Sequence, residues 1–362
     1  MLVKRSLLFS LQYSNNSKLK FIDILAREYI FAVQYFINLF WETGKYLSYK
    51  EVKNYPYETF LSARYLGCAL RQAQSIIKSL CRKRKKSKPE LHSISLKLDN
   101  RFVVIEKGKN SFDFWLKLRD PINKKWISYP FKDFNYRKNN YNDWKVAESV
   151  ELFKRDDKWF VKLIFKKEIE QKTKNPLGVD IGYNKLITTS DGEKFGQHLK
   201  SIIKRIANKQ HGSKKQKRLK HYLKTEVNRI LKSVVDGERD IVIEKLKNLK
   251  FKSRQNKRLS KTTRRLFQHW NYSYVLKRIK ELCEVVGVQC HTVSSTNTSR
   301  ICPQCKHVDK YNRHGELFVC KCCGFTSDAD WVGAYNILMR YTTTHNLLTI
   351  AEEPIVPLSA KG

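Results

Sequence analysis

The sequence predicts an α+β protein of several domains. A small β-rich domain is interrupted by a helical block and followed by a third block mixing strands and helices around a cysteine cluster. Three observations predict this. Strand-like alternation at the N-terminus returns after residue 90, and helical spacing fills the interval. Four cysteines with the pattern C-x2-C-x14-C-x2-C lie just before a last amphipathic run.

Residues 1–14 alternate as a strand does, with Leu2, Lys4 and Ser6 against Val3, Leu7 and Phe9. The short apolar stretch of MLVKRSLLFSLQYS has no small-residue cleavage site after it, so it reads as a strand and not as a leader. From Ser17 to about Lys88 the spacing is helical, first through Ile22, Leu25 and Tyr29, then from about Glu58 to Leu80 through Phe60, Leu61, Tyr65 and Leu66. The apolar run 29–41 is broken by Gln34 and Asn38 and falls short of the ~20 residues a bilayer span needs. RKRKKSK (82–88), closed by Pro89, reads as a phosphate-facing helix end or a solvated linker.

Between Leu91 and about Glu168, SISLKLD, RFVVIEK, FDFWLKL, KKWISYPF and WFVKLIFKK are short β-branched or aromatic runs between turn residues. They form a small barrel or sandwich in which the N-terminal strand is expected to pair. After the linker EIEQKTKNP, LGVDIGYNKLITTSDGEKFG holds two strand-like runs around the hairpin pair Asp191-Gly192. A long basic helical region follows, broken at Gly212-Ser213, with Leu219, Leu223, Val227, Ile230 and Val234 on one face. Then come a buried-type strand, DIVIEKL, a basic connection, one long helix over about 263–286, the strand VQCHTVS, the cysteines and a last helix. Residues 343–362 lack periodicity and read as a tail.

Charge narrows the function. Lys and Arg number 72 against 34 Asp and Glu, a net +38, and such self-repulsion points to a polyanionic partner, nucleic acid. Codon bias toward lysine would raise glutamate in step, and here the acids lag. Five of nine cysteines crowd between Cys302 and Cys323, which favours metal binding in a reducing compartment over a secreted disulfide scaffold.

Within this basic chain three carboxylates stand out. Asp180 points away from Leu177, Val179 and Ile181 and has Gly178 and Gly182 near it, leaving an open face. Glu244 shares a strand face with Val242, opposite Ile241 and Ile243. Asp330 sits at a helix start, where a capping role would explain it alone, and Asp328 is the better cap. Together the three can converge on divalent cations, the arrangement phosphodiester hydrolysis uses, and hard oxygen ligands select Mg²⁺ or Mn²⁺. Cys302, Cys305, Cys320 and Cys323 carry the spacing of two knuckles closing a structural Zn²⁺ site. Cys322 competes with Cys320 but breaks the two-residue spacing; His307 and His314 are weaker candidates.

The order GVDIGYNKLITTSDG, IVIEKLKNL, then TSRICPQC…CKCCGFTSDADWVGAYNI resembles the split RuvC nuclease of the transposon-encoded TnpB proteins and their relatives, the type V CRISPR effectors. The resemblance covers about 175–340, and the basic stretch HGSKKQKRLKHYLKTEVNRI shares it. It implies a wedge β-barrel (1–15 and 90–172) interrupted by a helical recognition lobe (16–89). An RNase H-like (RuvC) α/β domain (173–299 and 325–342) then carries a zinc-binding insertion (300–324). Asp180, Glu244 and Asp330 match the acidic triad, and the four cysteines match the zinc ligands. In the family's D-x-N-x-A-x-N helix, Asp330 and Asn336 match while Val332 replaces Asn; Lys306 replaces the glycine expected in the first knuckle. The resemblance implies an RNA-guided DNA endonuclease of the prokaryotic cytoplasm and nucleoid, with a guide RNA from the transposon end, a target-adjacent motif and Mg²⁺-dependent cutting. A guided repressor and a compact CRISPR effector are the alternatives. Lys214, Lys215, Lys217, Arg218, Lys220 and Arg300 are candidates for nucleic-acid contact.

Overall fold

The computed structural model describes the chain apart from residues 56, 83–86, 94, 109–110, 246–259 and 346–362. Most of the RKRKKSK run, the basic connection after DIVIEKL and most of the expected tail therefore lie outside the described residues. The chain divides into two compact units, Leu2–Glu168 and Ile169–Gly362 with Met1.

The first unit contains β1 (Leu2–Ser10), α1 (Asn16–Thr43), α2 (Tyr49–Val52), α3 (Ala63–Arg82), β2 (Leu96–Leu98), β3 (Val103–Lys107), β4 (Phe114–Arg119), β5 (Trp126–Phe131), α4 (Asn135–Tyr141), β6 (Lys145–Arg155) and β7 (Lys158–Glu168). The N-terminal strand pairs as expected, running antiparallel to β7 from Leu2↔Glu168 to Ser10↔Phe160. One sheet has the order β1-β7-β6-β2 and a second β3-β4-β5, and the described strands close no barrel. Side chains bridge the two sheets where strand pairing would have closed them. Phe9 of β1 meets Phe131 of β5 at 5.2 Å and Phe114 of β4 at 6.2 Å.

The helical block lies between β1 and β2 in sequence. α1 buries Ile22, Leu25, Tyr29, Val33, Phe36 and Phe40, a three-to-four spacing that gives one apolar face toward α3. It ends at Gly44, whose φ of 66° lets the chain turn in the left-handed region while its N–H donates to the Phe40 carbonyl.

The second unit contains β8 (Pro176–Asp180), β9 (Ile187–Thr189), β10 (Lys194–Phe195), α5 (Leu199–Ala207), α6 (Lys214–Val234), β11 (Asp240–Lys245), α7 (Lys261–His269), α8 (Tyr272–Val286), β12 (Cys290–Ser294), β13 (Arg313–His314), β14 (Leu317–Val319), β15 (Thr326–Asp328) and α9 (Ala329–Thr344). Its main sheet has the order β10-β9-β8-β11-β12, with β8, β11 and β12 parallel and β9 and β10 antiparallel to their neighbours. The Asp191-Gly192 turn joins β9 to β10, with Gly192 at φ 92°.

The two faces of this sheet bury different partners. Leu177, Val179, Ile181, Ile241 and Ile243 enter a core with α5, α6 and α8. Val242, on the other face, packs with Ile337 and Tyr341 of α9. Gly178 permits that close approach: a Cβ there would stand 2.3 Å from the Ala334 carbonyl oxygen. The single helix expected over 263–286 is two helices. Trp270 is extended (ψ 111°) between α7 and α8, and its burial in the core accounts for the break.

Candidate active site and cysteine centre

β8 and β11 run parallel in a register that sets Ile243 beside Val179. The next residue along each strand is Glu244 and Asp180, so both carboxylates leave the carboxyl ends of adjacent strands on the same face. That face is covered by α9. Gly333 sits over Asp180 so closely that a Cβ would lie 3.0 Å from its Oδ2. One turn earlier on α9 is Asp330, and all three carboxylates line one cavity of about 530 Å³.

Asp328 caps α9, its Oδ1 accepting from the N–H groups of Asp330 and Trp331 at 3.0 Å. Burial works to raise its pKa, but Lys194, the Trp331 N–H and Lys185 hold it down to about 2. Asp330 is thereby left free of the cap and faces the cavity. Its oxygens meet two cations, Lys185 Nζ at 3.0 Å and Arg313 at 2.6 Å. Lys185, only 8% exposed, also reaches Asp328 at 3.1 Å and so fixes the first turn of α9 to the β8–β9 turn.

Desolvation, then the carboxylates of Glu244 and Asp330, push Asp180 up to about 7, against the pull of Arg313. Burial raises Glu244 as well, opposed by a hydrogen bond from Thr298 (3.1 Å) and by Arg340 and Arg313. A cluster of desolvated, mutually repelling hard-oxygen donors fits a divalent cation such as Mg²⁺ or Mn²⁺, whose charge would relieve both costs. Asn336 braces the rear of the site by donating to the carbonyls of Thr298 and Ile301 at 2.8 Å.

Cys302, Cys305, Cys320 and Cys323 bring their sulfurs within 4.8 Å of one another, the group among the described residues with that spacing. Cys302 and Cys323 are 3.6 Å apart and Cys305 and Cys320 3.5 Å. A tetrahedral ion bound at ~2.3 Å to four sulfurs needs edges of about 3.8 Å, so the set fits a metal of zinc's size. The N–H groups of Cys322 and Cys323 point at Cys320 Sγ, which leaves Cys322 itself outside the cluster. Both knuckles turn through the left-handed region after their second cysteine, at Lys306 (φ 62°) and Gly324 (φ 73°).

The sequence reading missed Lys185 and Arg313. Of the nucleic-acid candidates, Lys214, Lys215, Lys217, Arg218 and Lys220 lie exposed on the first two turns of α6, and Arg300 is exposed beside Cys302.

Comparison with known proteins finds likenesses in both sequence and fold. Residues 272–337, from α8 through the cysteine module into α9, match the family described as Cas12f1-like, TNB domain. Over 74 residues the chain is 32% identical to the CRISPR-associated endodeoxyribonuclease Cas12f1 of Sulfoacidibacillus thermotolerans, covering 20% of this chain and 18% of that protein. In fold, the likeness to Cas12f1 solved with its sgRNA and target DNA covers 93% of this chain and 99% of that one, with a TM-score of 0.57 at 14% identity. The mini-RNA-guided endonuclease CRISPR-Cas_phi3 compares at a TM-score of 0.48 and 11% identity, over 93% and 92% of the two chains. The fold is a mixed α/β one that resembles that of Cas12f1. The chain is a TnpB-like relative of the type V effectors. Among the described residues, no helix is long and apolar enough to cross a membrane.

Proposed function

We propose that this chain is an RNA-guided DNA endonuclease that hydrolyses phosphodiester bonds at Asp180, Glu244 and Asp330. The observation that carries the reading is the meeting of these three carboxylates in one cavity of a chain with net charge +38. The β10-β9-β8-β11-β12 order supports an RNase H-like, RuvC-type nuclease domain. The first unit's sheets and helices would serve as wedge and recognition lobe, reading a target-adjacent motif. Guide RNA and target DNA are the proposed partners, with base pairing reading sequence and lysines reading the backbone.

The three carboxylates would hold Mg²⁺ or Mn²⁺, which supplies water activation and stabilisation of the leaving oxygen when bound as a pair. Arg313 neutralises the Asp330 side of the cavity, and Lys185 holds Asp330 in line with the strand ends. Zn²⁺ at the four cysteines is structural: with four thiolates no position is left for substrate. Association with a transposon belongs to the same proposal, and the sequence of the RNA that copurifies with the chain separates a transposon-end guide from a repeat-derived one.

The test is cleavage of a matched plasmid in Mg²⁺. Asp180→Ala or Glu244→Ala is expected to cut more than ~100-fold more slowly, beyond the ~10- to 100-fold typical of losing a group behind a ligand. Guide-RNA and target binding should survive in both. Undiminished cutting by either variant refutes the triad, and an intact plasmid with the wild-type chain points to a guided repressor.

A further inference from the structure

The cavity that holds the carboxylates has another wall, which the hydrolysis just described leaves unused. Tyr183, just after β8, and Phe267, on α7, both line it. Their rings lie 5.2 Å apart at 49°, and Trp270 meets Tyr183 edge-on at 6.3 Å. The Tyr183 hydroxyl is shielded from water and has no hydrogen-bond partner among the described residues. No residue of α7 is fully buried. Phe267 packs only in part against the core, and the rest of its ring faces the cavity.

The ligand chemistry follows from the parts. An aromatic pair lining a cavity offers a nucleobase a stacking surface. A paired base keeps its faces inside the duplex, so such a seat takes an unpaired one. We infer that Tyr183 and Phe267 form a base-stacking subsite for one unpaired DNA nucleotide beside the bond to be cut. The subsite rests on the nuclease reading above and gives it a means of setting which bond reaches the carboxylates.

Crosslinking tests it. The full chain carrying Asp180→Asn is irradiated with single-stranded DNA containing 5-iododeoxyuridine, which couples to aromatic rings it stacks on, and the adducts are mapped by mass spectrometry. Adducts are expected on Tyr183 and Phe267. Those on Phe267 should fall by ~5-fold or more when Tyr183→Leu removes the partner ring, the loss expected for one stacked base. Tyr183→Phe, which keeps the ring, should retain them. Adducts confined to other peptides, or equal loss in Tyr183→Phe and Tyr183→Leu, overturn the subsite. A preference there for the iodouridine RNA of the same sequence overturns its assignment to DNA. If adducts form as expected while the wild-type chain cuts no DNA, the nuclease reading fails and the subsite stands. Cutting without adducts at either ring is the reverse.

Discussion

Asp330 shows how little one residue says about its own role. At a helix start it could serve as a cap; the cap is Asp328, and Asp330 turns instead toward Lys185 and Arg313. Those two cations could not have been picked from the sequence, where they are two among 72 Lys and Arg. The three acids were legible through the order of the motifs that carry them, since Asp23, Glu151 and Asp236 have apolar or glycine neighbours too. Two departures from the family pattern also resolve at this scale. Val332 is fully buried against Cys302, Phe318, Cys320 and Ala329, so an apolar side chain suits the place better than an amide. Lys306 takes the left-handed conformation that glycine would adopt without strain. The elevation of Asp180 has a sign that can be checked. Between its ordinary 3.8 and about 7, the folded chain keeps a proton that the unfolded chain has released, so stability falls as pH rises through that window. Without added divalent metal, Asp180→Asn should reduce that slope in urea denaturation and be the more stable chain at pH 8. Equal slopes would assign the dependence to other groups.

Among the elements, those with a strong period were legible and those shaped by tertiary contact were not. β1, α1, α6 and β11 follow directly from apolar spacing. The break between α7 and α8 does not, because helical spacing continues through it and only the burial of Trp270 ends the first helix. Strand composition likewise left barrel and sandwich open, and the described strands form two separate sheets with no pairing between them. α6 carries a conflict of its own. Its first turn holds Lys214 and Lys215 and no acid, although the positive end of a helix dipole disfavours cations there. A helix that tolerates this cost has a use for the charge. Lys214→Glu with Lys215→Glu should therefore raise stability by about 0.3–1 kcal/mol per site while weakening nucleic-acid binding and flattening its salt dependence. Melting curves and binding isotherms at several salt concentrations measure both. No change in affinity would remove this helix end from the contact surface.

In the second unit as a whole, the cysteine module and the carboxylate cavity are one structure. Arg313 and Glu316 both come from between the cysteine pairs. Arg313 bonds Asp330, and the Glu316 carbonyl accepts from the N–H of Ala329 at the head of α9. Thr298 and Asn336 join the other side of the module to Glu244 and α9. The Cys320→Ser, Cys323→Ser chain is expected to lose its zinc by metal assay and to lose cutting in parallel, with every carboxylate intact. Zinc lost with cutting unchanged would separate the two centres. The coupling reaches beyond the molecule. Under the proposed function, a cell short of zinc would accumulate chains unable to cut, however much magnesium it contained. Zinc supply would then set the number of competent copies.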